Sequence, residues 1–528
     1  MSTLSSLTLE NVRTFRNRTR FDLAPLTLLV GPNNAGKSTL HKVLLFLRHN
    51  AREGRLHRPT FEGGDHGLGS FASLRSRGGA ASVTVGASFY WDTFDEYEFE
   101  SIEGEDLHYD RNVHHVHFEA TYSEHAGHTL LSAYRIALGD LDDPDPIVDV
   151  EVSFDVEHEG HTVPALYTVT VHGDQFLGGP EDALDTLGLL LEHGWSGDRD
   201  YDRLFRPLTF QYAPGFDYPW ALFDRDPAGR ESLSSPRIVE PRNAVEPMDA
   251  VLENAVRSAG DATGAIKGPS DRIGFWVIER FFRPYVRRWN RAIEGWLSRV
   301  THVGPGSVTD DRFVPDSHPL AQIVRANAGV VGEGVARWAQ SFGLADDVSI
   351  DRVADAGYTV SLVRGGEAYA VADLGYGYAR LVALLLALAA PPGLRGTGSG
   401  LRNVLVEEPE VHLHPNLQSR LADLFMEMTE PLGYDESLDP PYPYSGTSLL
   451  VETHSEYIVR RIQYLLAKRS YSEGHAVVYY LGPDPSADDY VRRIEVDSRG
   501  HLSGEFGSGF TDEATSLMMG IYRAGREN

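Results

Sequence analysis

The chain contains no cysteine. Disulfides and thiolate metal sites are therefore excluded, and the composition agrees with a reducing cytosol. Lysine is almost as scarce, occurring only at 37, 42, 267 and 468, so nearly all positive charge is arginine. Positive charge is itself outnumbered, leaving a formal net charge of −28 at pH 7. So acidic a surface argues against broad non-specific DNA binding, which depends on neutralising phosphates. No apolar run reaches bilayer-spanning length, no signal-peptide pattern opens the chain, and no sustained heptad repeat marks a coiled-coil arm. Residues 381–390 are strongly apolar but too short to span, and read as a buried helix. These absences predict a cytoplasmic protein with no membrane partner. Its 528 residues exceed one ordinary core, so two or more lobes are expected.

What the sequence does contain begins with Gly31-Pro32-Asn33-Asn34-Ala35-Gly36-Lys37-Ser38-Thr39, which satisfies G-x-x-x-x-G-K-[ST]. Residues 26–30 read as a buried strand entering this loop. Residues 40–48 continue as a helix with apolar positions at 40, 43, 44 and 47. Glycines let backbone N–H groups converge on phosphate oxygens, at a helix N-terminus whose partial positive charge favours anions. Lys37 is then expected on the β/γ-phosphates and the Ser38 hydroxyl on Mg²⁺. A chance glycine turn is the alternative, and the correct flanking strand and helix disfavour it.

The rest of the chain divides by pattern. Residues 4–12 and 19–30 read as strands leading to the loop, and 51–79, rich in Gly, Arg and Ser, as a mobile loop. Alternating β-branched and aromatic runs over 81–173 suggest an antiparallel sheet with hairpins. Residues 271–300 read as helix and interleave Arg272, Arg280, Arg283, Arg287, Arg288, Arg291 and Arg299 with Phe281, Phe282, Trp289 and Trp296. A nucleic-acid or partner surface is one reading. An amphipathic helix with buried aromatics is the other, favoured by the acidity of the chain. Beyond residue 301, strands at 404–406 and 448–451 alternate with helices at 415–428 and after 455, which predicts a parallel sheet.

Val404-Leu405-Val406 ends in Glu407-Glu408 and continues Pro409-Glu410-Val411-His412-Leu413-His414-Pro415. Paired carboxylates at a strand end can divide the work, Glu407 in the Mg²⁺ shell and Glu408 polarising the attacking water. Val451-Glu452-Thr453-His454-Ser455 closes another apolar strand, with His454 placed to sense a γ-phosphate. Asp373-Leu374-Gly375-Tyr376-Gly377 puts glycines at the start of a long apolar helix, again exposing backbone donors to an anion.

Together these segments resemble the ABC-type ATPase heads of the RecF/SMC group. The closest likeness is to the ATPase part of OLD-type nucleases and to the AAA-family ATPase subunits of bacterial anti-phage defence systems such as Septu. In that resemblance residues 31–39 are Walker A, with Gly31, Asn33, Asn34, Ala35, Gly36, Lys37, Ser38 and Thr39 on the nucleotide. Glu407-Glu408 is Walker B, with Glu407 and Ser38 toward the metal and Glu408 catalytic. His412-Leu413-His414 falls at the D-loop, with His414 toward the cofactor, and His454 is the catalytic switch histidine. Asp373, Gly375 and Gly377 are the signature motif, offered to the nucleotide of a second copy. Relatives carry Ser and Gln after the signature glycines where this chain has Ala379 and Arg380. Gln211 is the candidate Q-loop glutamine.

The resemblance implies an α/β P-loop NTPase of ABC-ATPase head type, with a split mixed sheet, an antiparallel β subdomain and a helical insertion. Residues 1–230 are expected as lobe I with Walker A, 231–300 as the insertion, and 301–528 as lobe II. Lys37 and Glu407 stand most of the chain apart, which agrees with a large insertion. ATP and Mg²⁺ are the implied cofactors. The implied partners are a second copy, as a homodimer or higher homo-oligomer, and a separate effector nuclease. With so few residues after His454, a fused nuclease domain is not expected and any nuclease is expected on another chain. The implied role is a sensor or regulator in anti-phage defence. A RecF-like ATPase that binds DNA and an ATP-locked scaffold with little turnover are the alternatives.

His108, His114, His115, His117, His125 and His128 form a histidine cluster. A metal site is one reading, and solvated histidines on a hairpin the expected one.

Overall fold

The computed structural model describes residues 2–91, 115–139, 148–156, 162–171, 208–212, 265–266, 283–304, 314–316, 321, 328–354, 356–389, 402–430, 433–435, 442–444, 447–507, 510 and 513–527. The chain forms two compact units, residues 22–41 with 300–528 and residues 2–21 with 42–299.

The first unit is built on a six-stranded sheet. Its strands are β1 (Leu26–Val30), β2 (Thr301–Val303), β3 (Arg402–Glu407), β4 (Thr447–Glu452), β5 (Ala476–Leu481) and β6 (Val491–Glu495). They lie in the order β2-β3-β4-β1-β5-β6, and only β6 runs antiparallel to its neighbour. β1, β4 and β5 are buried along their whole length. That is why they read as continuous apolar runs rather than alternations.

The helices that flank the site are α1 (Lys37–Arg52), which starts in this unit, α2 (Gly375–Ala389), α3 (Pro415–Met428) and α4 (Glu456–Ala467). α3 opens on a proline, whose missing N–H costs nothing at that position. α4 opens behind Ser455, whose hydroxyl accepts from the Ile458 amide. Leu421, Leu424 and Phe425 of α3 join Ile458, Ile462 and Leu466 of α4 in one core with Leu28, Val406 and Val451. α2 is buried nearly all round from Leu381 to Leu388, as its apolar sequence requires.

Parallel register aligns Glu407 with Glu452, and Glu452 with Leu29. The carboxyl ends of β3, β4 and β1 therefore finish side by side, where open α/β sheets place their ligands. Residues 22–41 fold with 300–528 because β1 is bonded between β4 and β5. The sequence division had put them in a lobe of 1–230. The run expected over 19–30 is two strands, Thr19–Asp22 and Leu26–Val30. Pro25, which offers no N–H to a ladder, stands in the break between them.

The second unit carries a nine-stranded sheet. Its long members Ser82–Trp91, His115–His125, His128–Gly139, Val148–Val156 and Thr162–Val171 pair antiparallel in succession. This is the antiparallel subdomain expected over 81–173. Residues 51–79 are not a free loop. They include the helical turn Phe71–Leu74 and bury Leu56, Leu68, Phe71 and Leu74, so apolar anchors among the glycines outweigh the loop-like composition. In the helix Arg283–Ser298, Ile293 and Leu297 are fully buried and Trp296 packs on Phe89, as the amphipathic reading has it. Arg272 and Arg280, and the side chains of Arg283, Arg287, Arg288 and Trp289, lie outside the described residues, as do His108, His114 and the side chain of Gln211.

Of the histidine cluster, His125 and His128 are exposed, but His117 is not solvated. Strand alternation puts Ser88, His117 and Glu119 on one face of paired strands. His117 Nδ1 lies 2.8 Å from Ser88 Oγ and its Nε2 lies 2.7 Å from Glu119 Oε1. The relay ends at Ser6, which donates to Ser88, and at Arg18, which donates to Glu119. Burial pushes the Glu119 carboxyl up, but bonds from His117 and Arg18 outweigh it and hold it at about 2. Replacing Glu119 with Gln leaves His117 buried beside a neutral group, at an expected cost of about 3 kcal/mol. A depressed carboxylate contributes stability above its ordinary value of 4.5, lost as pH falls toward 2. Urea unfolding at pH 7 and pH 3 checks this: the wild-type advantage should shrink at the lower pH.

Candidate functional site

β1 ends at Val30, and the chain turns through Gly31, Asn34 and Gly36, at φ of 140°, 65° and 91°, before α1 begins at Lys37. A Cβ on Gly31 would sit 2.2 Å from the Leu481 carbonyl oxygen, so only glycine fits against the end of β5. Gly31→Ala is therefore expected to displace the loop and weaken nucleotide binding at least tenfold, read by calorimetric titration. The Tyr490 hydroxyl donates to the Ala35 carbonyl from the other side. Asn33 and Asn34 are exposed, while Ala35 and Thr39 are buried. Lys37 folds back over its own loop, its ammonium donating to the carbonyls of Gly31 (3.0 Å) and Pro32 (2.9 Å). Burial lowers its pKa, against the pull of Glu452, Glu408 and Glu410.

Ser38 does not turn toward Glu407. Its hydroxyl donates to Glu452 Oε1 at 3.0 Å, and the same oxygen lies 4.0 Å from the Lys37 ammonium. Burial raises the Glu452 carboxyl. Glu407 is held elsewhere: its Oε1 lies 3.2 Å from His302 Nε2 and 3.5 Å from His41 Nδ1. Burial pushes Glu407 up, but both histidines outweigh it and hold the carboxyl well below the usual range. Arg380, buried in α2, donates to the Glu407 main-chain carbonyl. Arg380 thus braces the end of β3 in its own chain.

Glu408 takes a left-handed backbone, φ 42°, costly for a residue with a Cβ and a mark of functional turns. Its amide donates to the Glu452 carbonyl at 2.7 Å, and its carboxylate comes within 3.9 Å of His454 Nε2. His454 is fixed through its backbone, whose amide donates to Glu410 Oε1 at 2.6 Å. Burial lowers the imidazole pKa and Lys37 adds to the effect, so His454 is neutral at pH 7. Ligand atoms of Glu408, Glu452 and His454 all lie within 4.8 Å of one another.

Asp373 closes a 3-10 turn and Gly375, φ 67°, begins α2; both are exposed. Gly377 packs against the His412 backbone, where a Cβ would meet the carbonyl oxygen at 2.6 Å. His414 is exposed and caps α3, its Nδ1 accepting from the Asn416 amide at 3.3 Å.

Sequence reasoning assigned no role to Glu452 or Glu410. Both are buried, and each has one carboxylate oxygen, Oε2, without a hydrogen-bond partner among the described residues. The available signal was a carboxylate ending an apolar strand immediately before Thr453-His454. The orphan Glu452 oxygen, with the Ser38 hydroxyl that bonds the same carboxylate and with Glu408 beside it, makes a hard-oxygen donor set that suits Mg²⁺.

Two families match the sequence. One, described as "AAA domain, putative AbiEii toxin, Type IV TA system", matches residues 230–460, and one described as "AAA ATPase domain" matches residues 3–123. No curated protein matches the chain. Among solved structures the chain is similar to the Smc head domain of Pyrococcus furiosus with an extended coiled coil, bound to the C-terminal domain of ScpA. That match has 11% identity and a TM-score of 0.38, covering 99% of this chain and 100% of that one. It is also similar to the SMC head domain of Thermotoga maritima, at 13% identity and a TM-score of 0.32, covering 94% and 99%.

Proposed function

We propose that this chain, in which residues 3–123 and 230–460 match AAA families, is an ATP- and Mg²⁺-dependent ATPase that assembles into a nucleotide-bound dimer. The observation that carries this reading is the gathering of Lys37, Ser38, Glu408, Glu452 and His454 where β1, β3 and β4 end. The P-loop amides hold the phosphates, and Lys37 leaves its own carbonyls to pair with them. Glu408 orients the attacking water and takes its proton, and neutral His454 bonds the γ-phosphate. Bound Mg²⁺ supplies charge neutralisation at the phosphates. At the exposed start of α2, Asp373 and Gly375 face the nucleotide of a second copy in this reading. The biological role we propose is control of a separate effector nuclease in bacterial anti-phage defence. The resemblance to defence ATPases and the toxin–antitoxin description of the matching family support it.

Mixing variants tests the composite site. Lys37→Ala and Gly375→Glu are each expected to be inactive alone. Mixed in equal amounts they should regain about a quarter of wild-type phosphate release, because half the dimers formed at random contain one intact site. No recovery on mixing would count against contact between copies. Binding of ATP with no turnover in the wild type would favour a scaffold instead.

A further inference from the structure

Resting on the reading of residues 31–39 as an ATP–Mg²⁺ site, we propose that Glu452, rather than the Walker B residue Glu407, supplies the protein carboxylate of the Mg²⁺ shell. Strand order is the first argument. β4 lies next to β1, while β3 lies one strand further away. Neighbouring strands are about 4.8 Å apart, so a carboxylate on β4 starts about one strand spacing closer to the P-loop than its counterpart on β3. Glu407 and Glu452 are register partners, so neither gains reach by sitting further along its strand.

The side chains agree. The Ser38 hydroxyl already bonds Glu452 Oε1 at 3.0 Å. Glu452 is buried, and its second oxygen has no hydrogen-bond partner among the described residues. A buried carboxylate oxygen with no partner costs free energy unless something positive meets it. A hard divalent cation held jointly with the Ser38 hydroxyl meets that need. Glu407 is engaged differently: its Oε1 faces His302 Nε2 at 3.2 Å and His41 Nδ1 at 3.5 Å. His41 lies on α1, four residues after Lys37, and its Nε2 lies 3.1 Å from the Leu450 carbonyl oxygen on β4. Glu407 is thereby a positioning residue set between His41 of α1 and His302 of β2, and Glu452 faces the cation.

The test reads metal-coupled nucleotide binding instead of turnover. A fluorescent N-methylanthraniloyl ATP is titrated into the wild type, Glu452→Gln and Glu407→Gln, without Mg²⁺ and then across a Mg²⁺ series. Glu452→Gln should bind the nucleotide without Mg²⁺ at least as tightly as the wild type, yet need at least tenfold more Mg²⁺ for any further tightening. Glu407→Gln should keep its Mg²⁺ requirement within about threefold of wild type. Glu452→Asp, which keeps the charge but draws it back, should fall between and covers a Gln variant that fails to fold. The opposite ranking, or equal shifts in both Gln variants, overturns the assignment. Wild-type protein that binds no nucleotide at all would instead remove the ATP reading on which it rests.

Discussion

Lys37→Ala is expected to lower ATP turnover by on the order of 10²–10³-fold, the scale seen when one preorganised charge or donor is removed from a reacting oxyanion. The structure explains why the loss should be catalytic rather than structural. Among the described residues the Lys37 ammonium bonds the carbonyls of its own loop, Gly31 and Pro32, and lies at the edge of contact with Glu452. Those carbonyls can bond water when the side chain is cut back. The β1 strand behind them is held by β4 and β5 through bonds that do not involve residue 37. Unfolding by heat should therefore shift by only a few degrees. Electrostatics adds a second readout. Lys37 is a cation set among Glu452, Glu408 and Glu410, and Glu452 and Glu410 are already raised by burial. Without the ammonium, Glu452 should rise further. Phosphate release at saturating ATP, beside a thermal melt, is the measurement. Unchanged turnover would sink the assignment of residues 31–39.

How much of this was legible in the sequence depends on how local each signal is. α3 was read with its bounds, 415–428, because Pro415 at its first position is a local stop-and-start mark. The P-loop was legible for the same reason, since its glycines answer to φ values within a few residues. Strand adjacency is not local. Nothing in residues 26–30 states that their partners are 447–452 and 476–481, so the grouping of 22–41 with the C-terminal half could not be read. The roles of Glu452 and Glu407 turn on that adjacency and were hidden with it. His117 was misread because spacing reveals which face a strand residue takes, but not whether a Glu119 and a Ser88 will satisfy it there. Arg380 was legible only as a departure from a pattern; its bond to the Glu407 carbonyl required the fold.

Glu408→Gln should stop hydrolysis while leaving ATP in place. The amide matches the carboxylate in size, so the left-handed turn at φ 42° and the bond from its backbone N–H to Glu452 can persist. What is lost is the capacity to take a proton from the attacking water. That loss is expected to cost on the order of 10²–10⁴-fold in turnover. Binding should hold, because Glu408 is not among the groups that cradle the phosphates, and removing one negative charge near them relieves repulsion. His454 should also stay neutral, since the Glu408 carboxylate is the group that raises its pKa against burial and Lys37. A site that binds ATP but cannot clear it should accumulate whatever assembly ATP favours. Light scattering of Glu408→Gln with ATP and Mg²⁺ should then show the mass of two chains, and the wild type should return to its resting mass as ATP is consumed. Adding Gly375→Glu to the same chain should abolish the mass shift without restoring hydrolysis. An unchanged mass in Glu408→Gln at saturating ATP would mean that nucleotide does not drive assembly. Turnover near wild type would mean that the proton goes to another base, with Glu452, whose carboxylate lies within 4.8 Å of that of Glu408, the one to examine next.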